Sequence, residues 1–261
     1  MRRLMSVLLG TSSLFALAGA GSAADMPTKA PIVAAAAPFS WTGCYVGGHV
    51  GWAWGQKDVS AGEILPNFDT QFRGFGADID GFLGGVQAGC NHQLSPSWVI
   101  GVEGQFSWSD IKGDFSTDPF LFAKSAGRGT FTAKTDWIGT LAARVGYAWD
   151  RWMIYGKVGI AWAHDKYSLV RTEPVDPFSV TASETRTGWM LGAGVEYAFY
   201  SNWSAKLDYN FLDFGNERIT LLGTFRGTNR VTPAVDIDQQ VHLVKFGLNY
   251  RFNWGAVTAR Y

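Results

Sequence analysis

The chain has 261 residues, 22 basic and 22 acidic side chains, 47% hydrophobic residues and 2 cysteines. Balanced charge with this apolar content argues against disorder, and the lack of a basic excess excludes nucleic acid as a partner. Two cysteines without a CxxC motif or a histidine-rich cluster exclude a disulfide scaffold and a four-ligand zinc site. The joint abundance of 32 Gly and 12 Trp predicts a fold that uses both residue types.

The N-terminal residues predict export from the cytoplasm. Arg2 and Arg3 precede an apolar stretch, residues 4–19, that is too short to span a bilayer as a helix. Small residues follow it and form a cleavage site for signal peptidase. We therefore predict a signal peptide, then a periplasmic linker rich in proline and alanine, and one β-barrel domain. Their bounds are 1–23, 24–38 and 39–261.

Beyond the linker, the hydrophobic period is two, which predicts β-strands. The predicted strands, in chain order, are 41–56, 79–92, 98–108, 137–149, 152–162, 189–199, 203–211 and 242–252. Short turns alternate with long polar segments near 57–78, 110–134, 166–186 and 214–238. Short periplasmic turns at one end and longer extracellular loops at the other are typical of outer-membrane barrels.

The alternation leaves open whether the apolar face contacts lipid or the core of a soluble, lipocalin-like barrel. The pairs Trp98/Trp108 and Trp152/Trp162 share a face, and on a tilted strand their heights differ by roughly 25 Å along the membrane normal, the height of a membrane barrel's apolar band. The opposite face combines glycine with charges, which suits the narrow lumen of an eight-stranded barrel. We predict an all-β, eight-stranded antiparallel transmembrane β-barrel in the cell outer membrane.

Charges on the inward face form the main candidate site. Buried charges must be paired, because an isolated ion is strongly unfavourable in a low-dielectric interior. We predict a lumen ion network that plugs the barrel, and the alternative is a selectivity lining for a narrow, water-filled pore. The members are Glu103, Arg144, Lys157, Glu196, Lys206, Asp208, Lys245 and Arg251.

Two further features lie on the outward face. Cys44 and Cys90 both fall near the periplasmic end, so a disulfide and a pair of small lipid-facing residues fit the sequence equally well. The last strand carries alternating apolar residues that predict a signal for the barrel-assembly machinery. These residues are Phe246, Leu248, Tyr250 and Phe252. The tail after them, 253–261, has no assigned role.

Cofactor and enzyme chemistry find little support in the sequence. His164 and Tyr167, at the start of the third predicted loop, have side chains that ligate haem iron elsewhere, but a lone histidine beside a loop is more often solvated. The four histidines lack the His-x-Ser strand motif of lipid A deacylases, and no GxSxG or HExxH motif occurs. We therefore predict no cofactor, no metal site, no catalytic residues and no enzymatic activity.

Several segments resemble those of a known family. They are WTGCYVGGHVGWAWG, GGVQAGCNHQ, WIGTLAARVGYAWDRWMIYGKVGIAWA, RTGWMLGAGVEYAF and LNYRFNWG. Over residues 24–261 the chain resembles the small outer-membrane surface proteins of alphaproteobacteria, which include root-nodule outer-membrane protein B and relatives in pathogens. The resemblance implies a porin-like barrel that supports envelope integrity, with surface antigens and haem binders among its relatives. Cys44 departs from the family pattern, which has an aromatic residue after Trp-Thr-Gly.

The predicted function is structural. We expect a barrel that supports the envelope, displays extracellular loops and contacts outer-membrane lipid and lipopolysaccharide. The alternatives are a low-conductance porin for small solutes and a surface protein that binds haem or a host molecule. The sequence leaves the oligomeric state open.

Overall fold

The computed structural model forms a closed barrel of eight antiparallel strands, which confirms the predicted fold class. It describes residues 39–61, 75–117, 129–171, 178–225 and 228–252. The strands are β1 (Gly43–Ala61), β2 (Phe75–Gln93), β3 (Trp98–Thr117), β4 (Gly129–Trp149), β5 (Trp152–Arg171), β6 (Phe178–Ala198), β7 (Trp203–Phe225) and β8 (Thr228–Phe252). The predicted signal peptide, linker and C-terminal tail lie outside these ranges. Within them, no helix is long and apolar enough to span a bilayer.

Each strand pairs with its neighbour in sequence, and β1 pairs with β8 to close the barrel. This seam runs in register from the Cys44–Phe252 pair to the Ala61–Val235 pair. Closure leaves no sheet edge with unpaired backbone N–H and C=O groups, which is the condition for a sheet to cross a bilayer.

Three short turns lie at one end of the barrel, which we call the turn end. They are residues 94–97, 150–151 and 199–202. Hydrogen bonds from backbone N–H groups join these turns to neighbouring strands, as from Ala148 to the Ser97 carbonyl at 2.6 Å and from Arg251 to the Asn202 carbonyl at 2.7 Å. The opposite end, where β1, β3, β5 and β7 finish, is the connection end.

The strands are longer at the connection end than the sequence predicts. β7 reaches Phe225 and β8 begins at Thr228, so most of the predicted loop 214–238 belongs to strands. The other predicted loops are shortened in the same way. Register shifts near Trp108 and Thr135 interrupt the alternation of inward and outward side chains from which the strands are predicted. The strands continue to pair beyond these positions, but no apolar face marks the continuation in the sequence. The predicted loop bounds are therefore wrong.

Side chains alternate between lipid-facing and inward positions along every strand. Outward residues such as Val158 and Leu191 are 59% and 56% exposed, whereas the inward Lys157 is 3% exposed. Exposed tryptophans, among them Trp98 and Trp108, lie near both ends of the apolar band. The lumen, not the outward face, therefore contains the packed interior of the protein.

Candidate functional site

The turn-end half of the lumen holds a group of six buried charges, which we call the ion cluster. Its members are Glu103, Arg144, Lys157, Glu196, Lys206 and Asp208. They come from β3, β4, β5, β6 and β7, and the alternation of each strand turns them inward. The structure therefore brings six of the eight predicted network residues together.

Glu103 is the centre of the ion cluster. Lys206 Nζ lies 2.6 Å from its Oε2, and Lys157 Nζ lies 3.2 Å from its Oε1. The Tyr45 hydroxyl also donates to Oε2 at 2.6 Å, and the Gln105 amide donates to Oε1 at 2.8 Å. Both carboxylate oxygens are thus fully occupied by donors, which offsets the desolvation of the charge.

The other two carboxylates of the ion cluster share its cations. Lys157 Nζ lies 2.9 Å from Asp208, which also accepts a hydrogen bond from the Tyr155 hydroxyl. Arg144 donates to Glu196 at 3.2 Å. Each cation therefore contacts more than one acceptor or ring, and removal of one member takes a contact from several partners at once.

Arg144 is sandwiched between two tyrosine rings, with its guanidinium carbon 5.1 Å from the ring centroid of Tyr45 and 4.9 Å from that of Tyr155. Each ring covers a glycine of the neighbouring strand. A Cβ on Gly89 would lie 2.5 Å from the Tyr45 hydroxyl, and one on Gly194 would lie 2.6 Å from the Tyr155 hydroxyl. These glycines are therefore required by the close approach of large lumen side chains.

The remaining two predicted network residues point inward but contact no carboxylate in the described part of the chain. Lys245 donates to the Gln105 side-chain carbonyl, one step from the ion cluster. Arg251 donates to the carbonyls of Ser40 and Ser201 at 3.0 and 2.9 Å. The prediction that Arg251 joins the ion network is wrong, because its position at the turn end places backbone carbonyls, not carboxylates, within reach.

Arg251 instead contacts Phe39 and Trp41, two aromatic side chains that fill the turn end of the lumen and that we call the mouth plug. Its guanidinium carbon lies 4.3 Å from the ring centroid of Phe39 and 5.0 Å from that of Trp41. Trp41 is fully buried among inward side chains such as Val99 and Met153. Trp41 therefore lies inside the barrel, unlike the girdle tryptophans, and Phe39 packs against the same cluster.

A layer of apolar side chains, the apolar belt, forms a second cluster of buried residues inside the barrel. Its members are Ala53, Ile79, Leu83, Ile111, Ile138, Ala142, Ala161, Ala163, Met190, Leu212, Phe214, Val241 and Leu243. This layer departs from the prediction that inward side chains are small or charged. The signal was present, since Leu83, Ile138 and Met190 occupy inward positions of recognised strands.

Toward the connection end, a second polar group fills the lumen. Lys57 Nζ lies 3.0 Å from Asp165, and Asp165 also accepts hydrogen bonds from the Thr135 and Tyr167 hydroxyls. Arg186 lies in the same part of the lumen, with Nε 3.2 Å from Glu217 and Nη2 2.6 Å from a backbone carbonyl. Sequence reasoning missed these residues because most of them fell in or beside predicted loops.

The two cysteines face each other across β1 and β2. Cys44 and Cys90 are direct Cα partners in the register, and their sulfur atoms form a disulfide. On its other side Cys44 pairs with Phe252 of β8. The disulfide therefore joins the N-terminal hairpin beside the seam that closes the barrel.

The residues considered for haem ligation lie within β5 and point in opposite directions, so the expectation that they begin a loop is wrong. His164 faces outward, stacked on Trp137, and its two ring nitrogens lie 3.0 and 3.1 Å from the hydroxyls of Thr185 and Ser183. Tyr167 faces the lumen and is buried beside Asp165. They cannot ligate one iron together.

The outward rim at the connection end carries two contrasting groups of charge. The basic arc runs along β3, β4 and β5 as an alternating row in which Asp110 and Asp136 separate three lysines. These lysines are Lys112, Lys134 and Lys166. Both aspartates lie beyond the apolar band; a hydrogen bond from Lys112 lowers the pKa of Asp110, and one from Lys166 lowers the pKa of Asp136.

The acidic arc occupies the same rim on β8, β1 and β2. It consists of Asp58, Asp78, Asp80 and Asp238, and Asp58 lies directly opposite Asp238 in the register. Among the described side chains of these three strands, none that faces outward is lysine or arginine. The two arcs therefore differ in the sign of their excess charge.

The residues of the predicted assembly signal lie on the lipid face of β8. Phe246, Leu248, Tyr250 and Phe252 are 49%, 42%, 37% and 41% exposed. Their strand pairs with both β7 and β1. Their role in assembly stays a prediction.

Comparison with known proteins identifies the family. A family model described as "Outer membrane protein beta-barrel domain" matches residues 13–252. The chain belongs to this family. The 31 kDa outer-membrane immunogenic protein of Brucella melitensis is 33% identical over 258 residues, which cover 94% of this chain and 98% of that protein. The 22 kDa outer membrane protein of Rhizobium leguminosarum is 30% identical and covers 82% of this chain and 86% of its own length.

Membership of the outer membrane protein beta-barrel domain family confirms both the resemblance seen in the sequence and the location in the outer membrane. Among solved structures, the outer membrane protease OmpT of Escherichia coli matches with a TM-score of 0.52 and 10% identity. The match covers 82% of this chain and 98% of OmpT. At this identity the likeness shows the shared barrel fold alone.

Proposed function

We propose that the protein is a structural surface barrel whose lumen is sealed, and that it supports the outer membrane and displays its long connections outside the cell. The observation that carries this proposal is the filling of the lumen by the mouth plug, the ion cluster and the apolar belt. A continuous water path along the barrel axis would have to cross all three.

The apolar belt is the strongest barrier among these layers. An ion that crosses it must lose much of its hydration shell to apolar side chains, which is costly in a low-dielectric medium. The ion cluster adds a second barrier because its carboxylates already hold their cations at 2.6–3.6 Å. This packing favours the sealed barrel over the low-conductance porin.

The proposed orientation places the turn end in the periplasm. Outer-membrane barrels have short periplasmic turns and longer extracellular connections, and the three short turns all lie at the turn end. Names of relatives such as the immunogenic proteins of Brucella support surface display. We further propose that outward residues of β8 act as the assembly signal and that the protein is not an enzyme.

Two contacts bear on the enzyme question. His49 Nε2 and Ser107 Oγ are 2.8 Å apart, but both side chains are buried in the lumen. His164 reaches Ser183 on the outward rim, where its second nitrogen contacts a threonine hydroxyl. A carboxylate that orients the imidazole, as nucleophilic catalysis requires, is present at neither site within the described residues.

Conductance across a planar bilayer tests the sealed lumen. We expect refolded protein, with its folded state verified by heat-modifiable gel mobility, to give a silent membrane. The Arg144→Met variant serves as the matched comparison, because it opens part of the ion cluster. Reproducible, ion-selective conductance steps from the folded wild-type barrel would contradict the sealed lumen and support the porin alternative.

A further inference from the structure

The basic arc lies at a defined height on the outer surface of the barrel. Lys112 follows the girdle residue Trp108 by four positions, which corresponds to about 10 Å along the membrane normal for a strand tilted by about 40°. Lys166 follows Trp162 by the same spacing on β5. Lipid headgroups occupy the zone just beyond an aromatic girdle.

The register of the strands brings the lysines together. Lys112 and Lys134 are direct Cα partners between β3 and β4, and Lys134 and Lys166 are direct partners between β4 and β5. Like charges directly opposite on adjacent strands are unfavourable unless counter-charges intervene. Asp110 and Asp136 supply these charges, at 2.9 to 3.4 Å from Lys112 and Lys134.

The lysines keep donors for a further anion. An ammonium group has three N–H donors. Within the described residues, Lys112 contacts only Asp110, and Lys166 contacts only Asp136. Their side chains are 50% and 58% exposed. The row itself has three positive and two negative charges, and Asp80 of the acidic arc lies directly opposite Lys112 in the register. The row therefore offers exposed N–H groups of Lys112 and Lys166 to an anion, not a large net charge.

Apolar and aromatic surface continues below the row toward the membrane centre. Trp137 stacks on Phe106 and on His164, with ring centroids 5.5 and 5.7 Å apart. Leu141 and Ile160 follow, 54% and 48% exposed to lipid. The outward surface of β3, β4 and β5 therefore carries ammonium groups at headgroup height and apolar side chains at the depth of the acyl chains.

We propose that the basic arc is a binding site for the phosphate groups of a phosphorylated glycolipid, of the lipid A type, in the outer leaflet. The lysines of the row contact the phosphates, and acyl chains pack on the aromatic and aliphatic surface below. The acidic arc, with four aspartates and no outward cation among its described side chains, repels the same headgroup. The barrel thus orients one side toward this lipid.

This inference rests on the proposed orientation, in which the connection end is extracellular. The test is independent of conductance, so a conducting barrel and a barrel without a lipid site are distinguishable results. Folded full-length mature protein in neutral detergent micelles is titrated with bis-phosphorylated lipid A, and native mass spectrometry counts the bound lipid. EDTA is present throughout, so divalent cations cannot bridge lipid to the acidic arc.

Wild-type protein is expected to bind bis-phosphorylated lipid A at least tenfold more tightly than the same lipid after phosphatase treatment. This comparison needs no variant and stands even if a substitution prevents folding. Equal affinity for the two lipids would overturn the proposal. Displacement of bound lipid A by millimolar inorganic phosphate would also overturn it, because the site would then recognise a free ion.

The triple variant Lys112→Gln, Lys134→Gln, Lys166→Gln is expected to lose tenfold or more in affinity, while Lys→Arg changes at the same positions retain binding. The matched control is Asp58→Asn, Asp78→Asn, Asp238→Asn on the acidic arc, which removes as many charges and is expected to bind no more weakly than wild type. A folded glutamine variant with wild-type affinity would contradict the site.

Discussion

The inner and outer faces of the barrel are built from alternate residues of the same strands, yet the contacts of their side chains differ in specificity. On the outer face, residues such as Val158 and Leu191 meet lipid, and an apolar side chain of similar size would serve as well. On the inner face, Glu103 requires particular donors at particular distances. Specific contacts are therefore concentrated in the lumen, where water cannot replace a missing partner.

Substitution of the inward Arg144 is expected to lower the free energy of unfolding far more than substitution of an exposed residue, and this is the largest effect that we predict. Arg144→Met leaves Glu103 and Glu196 without a shared cation, and we expect unfolding to become easier by about 3–5 kcal/mol. Urea titration of the barrel in lipid vesicles, followed by heat-modifiable gel mobility, measures the change. The control is Arg151→Gln, at an exposed arginine in the β4–β5 turn, for which we expect almost no change. Equal effects of the two variants would remove the special role of the ion cluster.

Lysine–aspartate pairs permit a direct comparison, because one lies inside and one outside at nearly the same distance. Lys57 lies 3.0 Å from Asp165 in the lumen, and Lys112 lies 2.9 Å from Asp110 on the rim. Lys57→Met should destabilise the barrel by about 2 kcal/mol, since the buried Asp165 keeps only hydroxyl donors. Lys112→Met should change stability much less, because both side chains of the rim pair are exposed to solvent. A larger loss in the rim variant, measured by the same urea titration, would reverse the comparison.

Glycine substitutions sharpen the comparison with a smaller effect. Gly89→Ala places a methyl group 2.5 Å from the Tyr45 hydroxyl and should destabilise the protein by about 1–2 kcal/mol as Tyr45 shifts away from Glu103. On the lipid face, Gly104→Ala meets its nearest neighbour at 3.9 Å and should be nearly neutral. Thermal unfolding followed by gel mobility distinguishes the two. If both variants unfold at the same temperature, the close packing of Tyr45 on Gly89 does not contribute to stability.

Much of the fold followed from the sequence because the period of two is a local property of a strand. The parity of Lys157, Lys206 and Asp208 predicted inward positions, and all three are buried. The loop bounds could not be predicted from the sequence in the same way. Beyond the lipid band, strand pairing depends on partners in neighbouring strands, and the residues of one segment show no alternation that reveals it. Lys57 and Arg186 were missed for this reason.

Partners within the lumen were the least predictable feature. Lys206 and Glu103 are separated by 103 positions in the chain and approach to 2.6 Å across the barrel. Whether they meet depends on the tilt and stagger of the strands, which set the height of each inward side chain. Arg251 shows the consequence, because it shares the inward parity of Lys245 yet lies too far toward the turn end to reach a carboxylate.

The sequence by itself determined the existence of eight strands, the alternation of faces within their central parts and the membrane that receives the barrel, since these depend on periodicity and on the spacing of tryptophans. Only the tertiary structure decided which buried charges pair, where apolar side chains cross the lumen, and that Lys112, Lys134 and Lys166 form one row. The physical reason is that closure of the sheet sets the relative heights of all the strands at once, and no single segment carries that information.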